Sequence, residues 1–423
     1  MSWPRSLAPL RHRRYAALWT GGFASNVGTW METVGVGILV TSQTGRAAWA
    51  GIVAAAAFIP NALLGPLGGA LADRLPRRRL LLTTTSVQTA LASTLAALAA
   101  VGAGRPGAVT LIVFGSGCAN AIGLPSLHAV LPDLVPRQEL TGAVALSSAE
   151  WNLGRVVGPA LAGVVIGVGG YALAFAINAA SFLAVILAVA PLRLPAPSPA
   201  PGESIRTAIR TGARFAWHEP GIRAVLVYLA LNSLLAAPFI ALVPAVASRV
   251  FDDPASGTAA LVTSQGVGAV VMALTLSSLA HRYGHRATLL FCLVTLPLAL
   301  VAYASAPTLG LAAAAIFAVG ALYLGCLSSF TTIAQLRAPA AVRGRVLSVL
   351  FVSLGLLYPI GSVTQGTIAD AIGLRATTAG AAALLFAAFV ALRVTRRGFD
   401  RDLGDVVPAP EPEPLGAVVP AGQ

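Results

Sequence analysis

The sequence contains no lysine and few charged residues of any kind. All 28 basic residues are arginine, and charged residues make up only 10% of the 423 positions, against about 25% in an average soluble protein. Hydrophobic residues make up 57%, and the mean hydropathy is +0.80. A chain of this composition would aggregate in water, which excludes a soluble globular enzyme and an intrinsically disordered protein. We therefore expect most of the chain to lie in a lipid bilayer.

The missing lysine also excludes the phosphate-binding loop of P-loop ATPases, which requires that residue. Only three cysteines are present, Cys118, Cys292 and Cys326, and all lie in apolar runs. They are predicted to be packing residues rather than parts of a disulfide framework or a zinc site. The five histidines show no metal-type spacing, and no nucleophile–base set can be found. We expect no metal, no cofactor and no enzymatic activity.

Apolar runs separated by short polar or Gly/Pro-rich segments predict an all-α membrane protein with twelve transmembrane helices. A helix needs roughly 20 apolar residues to cross a bilayer, and each run is close to that length. The predicted spans are 16–40, 47–71, 80–101, 107–130, 142–167, 171–191, 222–247, 257–280, 287–304, 308–335, 345–369 and 376–393.

Arginine is distributed unevenly between alternate loops. Of the 28 arginines, 23 fall on one side of the predicted membrane and four on the other, namely Arg46, Arg105, Arg249 and Arg375. The positive-inside rule places the arginine-rich side, and with it both termini, in the cytoplasm of a protein of the cell's inner (plasma) membrane. The net charge of +13 is thus explained by topology and not by a nucleic-acid partner.

The spans predict two six-helix bundles, residues 1–191 and 222–396, joined by a long linker at 192–221. Within the linker, Arg206, Arg210 and Arg214 recur every four residues opposite an apolar stripe, which predicts an amphipathic helix at the membrane surface. A plain charged linker is the alternative. The tail at 397–423 is rich in proline and acidic residues, so we expect it to be disordered.

Two pairs of segments repeat at nearly the same distance. GALADRLPRRRLLL begins at Gly69 and SSLAHRYGHRATLL at Ser277, while GPALAG at 158–163 corresponds to GSVTQG at 361–366. The offsets are 208 and 203 residues. Such spacing predicts a duplicated six-helix unit whose two copies enclose one cavity.

The tract GALADRLPRR at 69–78 resembles the loop motif of the major facilitator superfamily, glycine-x-leucine-alanine-aspartate-arginine-x-glycine-arginine-arginine. Pro76 stands where the motif has glycine, whereas the second copy keeps Gly284 and has His281 in place of the aspartate. The resemblance implies a gate at the cytoplasmic ends of helices two to four, built from Gly69, Asp73, Arg74, Arg77, Arg78 and Asp133. We expect Asp73 and Arg77 to hydrogen-bond each other and a helix terminus. A merely topogenic basic cluster is the alternative.

A second tract, Gly154-Arg-Val-Val-Gly158-Pro159-Ala-Leu-Ala-Gly163, resembles the fifth-helix signature of the drug:proton antiporters in that superfamily. RHRRYAALWTGGFASNVGTWMETVGVGILV near the N-terminus and GLPSLHAVLPDLVPRQEL at 123–140 resemble its macrolide-efflux and enterobactin-exporter-like branch. The resemblance implies export of a small molecule driven by proton entry. Close helix packing around small residues is the alternative for the fifth-helix tract.

Charged residues inside the spans are few, and each costs about 2.5–3.5 kcal/mol at mid-bilayer on insertion scales. Glu32 lies about 24 Å along the first helix. A carboxylate facing a cavity there could alternate between its protonated and ionised forms, as proton coupling requires. Glu150 and Arg155 lie in the fifth helix but point about 140° apart, so Arg155 needs another partner. Glu32 or the Asn26 face of helix one is predicted to supply it; a structural ion pair is the alternative.

Polar and aromatic side chains on the same helices are candidates for contacting a bulky amphipathic ligand through ring surfaces and a few hydrogen bonds. Ordinary helix packing is the alternative for each of them. They are Asn26, Trp30, Asn152, Asn232, Gln265, Tyr323, Tyr358 and Gln365.

Together these features predict a monomeric secondary transporter that exports drug-like or secondary-metabolite molecules by proton antiport with alternating access. Its partners would be a small-molecule substrate, protons and the lipid bilayer. Two alternatives remain open, a proton-coupled importer of a small solute and a membrane scaffold or sensor without transport.

Overall fold

The computed structural model describes residues 5–194, residues 205–395 and Leu403. It is helical throughout these ranges apart from short turns. The long helices are α1 (Arg13–Thr44), α2 (Ala47–Arg74), α3 (Arg77–Ala100), α4 (Pro106–Leu134), α5 (Leu140–Val189), α6 (Ile205–His218), α7 (Pro220–Leu231), α8 (Phe239–Val250), α9 (Ser256–Tyr283), α10 (His285–Ser305), α11 (Leu309–Arg337), α12 (Ala340–Ile372) and α13 (Leu374–Thr395).

Ten segments of the described chain are long and apolar enough to cross a membrane. One of them, Arg137–Val189, contains two crossings, because Gly170 has φ 68° and ψ −173° in the middle of α5. A positive φ is the conformation that glycine adopts without steric cost, and it breaks the helix there. The ten do not include α1, whose 32 residues are also long enough to span. The twelve-helix fold class predicted from the sequence is confirmed.

One predicted span is not a regular helix. A π-turn, Asn232–Ala236, joins α7 to α8, and Pro238 follows two residues after its end. Gln365 on α12 holds this turn by donating to the carbonyl oxygens of Leu234 and Leu235 at 2.9 and 3.0 Å. The uniform apolar run at 222–247 gave no sign of this interruption. π-turns of this kind are often found at functional sites of helices.

The helices form two groups, which we call the N-half (α1–α5) and the C-half (α7–α13). In the N-half, α1 packs along α5, and α3 packs on α4 and α5. In the C-half, α11 packs on both α9 and α10. The two halves meet mainly through two helix pairs, α2 with α12 and α5 with α9, with smaller contacts of α8 on α1 and α2. These two pairs fix the boundary at which a central cavity can form.

The repeated glycines occupy equivalent places in the two halves. A Cβ on Gly158 would lie 2.6 Å from Cβ of Trp30 on α1, and one on Gly361 would lie 2.6 Å from the Leu234 carbonyl in the π-turn. Five residues further on, Gly163 and Gly366 instead pack across the boundary, against Ala259 and Ala47 of the opposite half. The repeat therefore preserves one contact within each half and one contact between them.

The halves converge at one end and separate toward the other. Near the end that carries Arg46 and Arg249, Gly37 packs on Pro244, and Gly51 leaves no room for a side chain against Ser362. We call this the closed end. Toward the opposite, arginine-rich end, Leu63 is 61% exposed. The last close glycine contact between α2 and α12 is that of Gly355 with Ala62, so we call this the open end.

Helix α6 lies in the segment between the two halves and packs on the start of α12, where Gly212 faces Arg345. Its placement at a lipid surface stays a prediction. The proline-rich linker at 195–204 lies outside the described residues, as does the tail at 397–423 except for Leu403.

Candidate transport site and its two gates

The closed end is held by one carboxylate that sequence analysis did not single out. Asp370, in the last turn of α12, accepts hydrogen bonds from the backbone N–H groups of Ala47 and Ala48 at 2.7 and 3.1 Å. It also pairs with Arg249 at 2.7 Å and lies 3.7 Å from Arg46. Because helix N-termini attract negative charge, Asp370 of the C-half caps α2 of the N-half.

A sequence signal for this contact existed. Arg46 and Arg249 are two of only four arginines on the arginine-poor side, and Asp370 is an acid at the edge of the eleventh span. Pairing that acid with those arginines would have required knowing that the second and eleventh spans touch. Spacing along the chain does not contain that information.

The loop motif at the open end is organised within the N-half. Arg77 pairs with Asp133 at 3.1 Å and donates to the carbonyl oxygen of Ala129, also at 3.1 Å. Arg78 donates to the carbonyl oxygen of Ala190, just past the C-terminus of α5, at 2.9 and 2.6 Å. Arginine at such a terminus satisfies carbonyl groups that the helix itself cannot pair.

One expectation for this motif, the hydrogen bond between Asp73 and Arg77, is wrong in this conformation. Asp73 is exposed and makes no hydrogen bond or ion pair with Arg77 among the described residues, because the Arg77 side chain is engaged by α4 instead. Gly69 is not at a close helix approach, since no atom lies within 4 Å of where its Cβ would be. The tight contact is made by its neighbour Gly68 against α4. Arg74 is exposed as well.

Pro76 changes the turn between α2 and α3. It has φ −55° and ψ 110°, whereas Gly284, its equivalent in the second copy, has φ 83° and ψ 153°. A proline ring cannot reach that positive φ. The two copies therefore enter their next helices by different backbone routes, while the charged positions of the first copy keep their places.

Arg155 lies midway through the first crossing of α5, 15 residues from both Leu140 and Gly170, or about 22 Å from each. Its guanidinium carbon is 5.8 Å from the ring centroid of Trp30 on α1, a cation–π contact. Tyr323 on α11 and Tyr358 on α12 are the groups that interact with its charge from the other half. Arg155 is thus directed at the boundary between the halves.

Further rings extend this aromatic set. Trp151 meets Trp30 edge-on at 5.7 Å, Phe58 meets Tyr358 at 5.0 Å, and Phe239 meets Tyr323 at 5.8 Å. Both halves contribute, through α1, α2 and α5 on one side and α8, α11 and α12 on the other. We call Trp30, Phe58, Trp151, Phe239, Tyr323 and Tyr358 the ring cluster; sequence analysis missed Phe58, Trp151 and Phe239.

The two carboxylates inside the N-half are engaged by amides and not by Arg155. Glu32 accepts from Asn178 Nδ2 in the second crossing of α5 at 2.6 Å. Glu150 accepts from Asn26 Nδ2 at 2.8 Å. The predicted pairing of Arg155 with Glu32 or Asn26 is therefore wrong in this conformation, because Glu32 is bound by Asn178 and Asn26 by Glu150.

The remaining polar candidates are buried or hydrogen-bonded to other parts of the protein in this conformation. Asn232 and Gln265 are 0% and 1% exposed, so neither is open to a ligand here. Gln365 is taken up by the π-turn, and Asn152 donates to the carbonyl oxygen of Ser148 in its own helix at 2.8 Å. Of the eight predicted cavity residues, the structure brings Trp30, Tyr323 and Tyr358 together around Arg155.

The glycine–proline tract sets the distance between α1 and α5. Gly154 packs on Asn26, Gly158 packs on Trp30, and buried Pro159 follows within the helix. Gly163 touches the C-half at Ala259. Because side chains at these glycines would push α1 away, the tract places Asn26 beside Glu150 and Trp30 beside Arg155.

Two pseudo-symmetric six-helix halves around a central boundary, closed at one end and open at the other, define a transporter of the major facilitator superfamily. The chain belongs within it to the transmembrane secretion effector family, which it matches over residues 4–418. The family and the fold are those of transporters rather than enzymes. The chain is a multi-pass membrane protein.

Similar proteins come from bacteria. The chain is 28% identical over 382 residues to the multidrug efflux pump Tap of Mycolicibacterium fortuitum, covering 87% of this chain and 91% of that protein. It is 24% identical to the staphyloferrin A transporter of Staphylococcus aureus, covering 84% and 89%. Among solved structures, an inward-facing, occupied bacterial homologue of the human lysosomal transporter Spinster matches with a TM-score of 0.76 and 16% identity, over 95% of this chain and 99% of that one.

Proposed function

We propose that the protein exports small amphipathic molecules across the cell membrane by alternating access, driven by protons that enter in exchange. The observation that carries the proposal is the arrangement of Arg155 and the ring cluster at the middle of the boundary between the halves. The outward direction is supported by the related Tap protein, which is a multidrug efflux pump.

The open end is assigned to the cytoplasm, because it carries the arginine-rich loops of the described chain, which the positive-inside rule places there. A substrate then enters from the cytoplasm and rests against the aromatic rings. The halves rock, the Asp370 contacts break at the closed end, and the Asp73 end closes behind the substrate. Under this assignment, Asp73 contacts a partner only in the reverse conformation.

Glu32 and Glu150 are the proton carriers in this proposal. Each is a carboxylate inside the membrane with one neutral amide partner, and for each the described residues include no cation within ion-pair distance. A neutral partner tolerates both the protonated and the ionised form, whereas a fixed ion pair would hold the carboxylate ionised. Proton uptake from outside and release to the cytoplasm can then accompany each cycle.

The test is accumulation of a panel of hydrophobic compounds in cells that make the intact protein, Glu32→Gln, Glu150→Gln or the control Glu139→Gln. Glu139 lies at the membrane edge in a short turn and pairs with His12, so its loss leaves the interior unchanged. We expect lower accumulation with the intact protein and the control, and loss of that difference with Glu32→Gln or Glu150→Gln. Equal accumulation in all strains contradicts export.

Direction and coupling are tested in everted membrane vesicles, in which an exporter moves its substrate inward. Uptake should rise when a pH gradient, acidic inside, is imposed and should collapse with an uncoupler. Uptake that does not depend on the gradient would exclude proton antiport. Uptake only in right-side-out vesicles would make the protein an importer.

A further inference from the structure

Arg155 is a mid-membrane cation for which the structure supplies no counter-charge. In the described part of the chain, no carboxylate lies within 4.0 Å of its guanidinium group. Glu150, five residues earlier on the same helix, is turned away and bound by Asn26, and Glu32 is bound by Asn178. The groups facing Arg155 are aromatic rings.

An arrangement of this kind leaves the charge of Arg155 only partly compensated. Its side chain is half-buried, and withdrawing a cation from water is costly to the extent that no anion or hydrogen bond replaces its hydration. The Trp30 ring at 5.8 Å offers a cation–π contact, which offsets only part of that cost and leaves the donors of the guanidinium free for a planar anion. Trp30 contributes a second unused donor, since its buried Nε1 has no partner among the described residues.

The surroundings also specify the rest of such a ligand. Trp30 meets Arg155 and Trp151, and two further ring pairs, Phe58 with Tyr358 and Phe239 with Tyr323, contain the two tyrosines that interact with the charge of Arg155. Rings of this kind bind a flat apolar body. The close glycine contacts between the halves lie at this level or nearer the closed end, so entry of the ligand is proposed from the open end.

From this geometry we infer that the cavity selects amphipathic organic anions, with Arg155 binding a carboxylate or similar oxyanion and the ring cluster binding an aromatic or other apolar body. The inference rests on the proposed function and specifies its substrate class. An anion between the halves also links Arg155 of the N-half to Tyr323 and Tyr358 of the C-half, so the ligand's charge contributes to bringing the halves together.

The test uses three probes that share one fluorescent ring system: dansylglycine, which is an anion, its neutral amide dansylglycinamide, and the cation dansylethylenediamine. Binding to the purified full-length protein in a non-ionic detergent is measured by the increase in dansyl fluorescence. A charge-assisted hydrogen-bond pair should favour dansylglycine over its amide by about tenfold or more. The cation should bind more weakly than the amide.

Three variants identify the source of that preference. Arg155→Gln should abolish it by weakening dansylglycine about tenfold and dansylglycinamide less than about threefold, whereas Arg155→Lys, which keeps the charge, should retain part of it. Phe58→Leu should weaken both probes similarly, since its ring surface serves the shared dansyl group. The inference is overturned if the intact protein binds the amide or the amine as tightly as the anion, or if Arg155→Gln keeps the preference.

The same probes separate this inference from the proposed function. If dansylglycine binds preferentially but vesicles do not move it under a pH gradient, the anion site stands and proton-driven export fails. If vesicles move the neutral or cationic probe under the gradient while the anion is not preferred, export stands and the anion site fails.

Discussion

The two ends of the bundle are held by different kinds of contact. At the closed end, glycines bring the backbones of opposite halves together and Asp370 binds the start of a helix in the other half. At the open end, the ion pair of Arg77 with Asp133 joins helices of one half, while Asp73 and Gly69 have nothing opposite them. Contacts between halves depend on the conformation, and contacts within a half do not. The motif residues without a partner are therefore the ones to examine for gating.

The largest effects are expected from filling glycine positions on α2. Gly51→Leu places a Cβ against the Ser362 carbonyl, so the closed end can no longer form. Gly69→Leu is accommodated in the present conformation but blocks the approach that the reverse conformation needs. Both should lower transport at least about tenfold, since steric overlap with backbone is not relieved by side-chain movement.

A pair of reporter cysteines distinguishes the conformations in which Gly51→Leu and Gly69→Leu arrest the protein. In a background without native cysteines, Ala259→Cys reports on the closed end and Leu63→Cys on the open end through reaction with a membrane-impermeant maleimide. Gly51→Leu should expose Cys at 259, and Gly69→Leu should leave it protected. Gly380→Leu on α13, which also has no neighbour within 4 Å, is the matched control and should change nothing. Identical labelling for the two α2 variants contradicts the comparison.

An intermediate effect is expected at the carboxylate of the closed end. Asp370→Asn removes the charge that pairs with Arg249 and weakens two hydrogen bonds to α2. Because hydrogen bonds to charged groups are worth about 1.5–3 kcal/mol, the population open at this end should rise about tenfold or more. The Ala259→Cys reporter measures that rise as faster labelling. Unchanged labelling would mean that the glycine packing alone keeps this end closed.

The smallest effects are expected from neutralising Asp133 or Asp73, and the two variants should differ in stability. Asp133→Asn should lower the stability of the detergent-purified protein by at most about 1 kcal/mol, since partly exposed ion pairs contribute no more. Asp73→Asn should leave the thermal midpoint unchanged, because the described conformation offers it no partner, yet it should slow transport. Equal loss of stability in both variants would show that Asp73 has a partner within its own half.

The fold was predictable because lipid imposes simple rules. Each crossing needs a long apolar run, and the predicted break at 168–170 falls at Gly170, where the backbone reverses. The family motif placed Arg77 and Asp133 in one gate, but the partner expected for Arg77 was Asp73 and not Asp133. The π-turn at Asn232–Ala236 was not predictable, because its apolar residues read as continuous helix and its support comes from Gln365, over 100 residues away.

The site was predictable in composition but not in pairing. Spacing showed that Arg155 could not pair with Glu150 along their helix, and this holds in the structure. It could not show that Asn178 binds Glu32, nor that Trp30 faces Arg155. Those outcomes depend on which helix faces meet, and glycines such as Gly158 determine that through backbone distances.

Because the Asp370 cluster is exposed, the transport cycle should be sensitive to ionic strength on one side of the membrane. The Arg46 and Arg249 side chains are 63% and 33% exposed, so dissolved ions can screen their attraction to Asp370, whereas the backbone amides of Ala47 and Ala48 are less affected. Ionic strength in the medium that bathes this end should therefore set how readily it opens. In a sealed vesicle, raising the salt concentration on the Asp370 side alone should accelerate exchange.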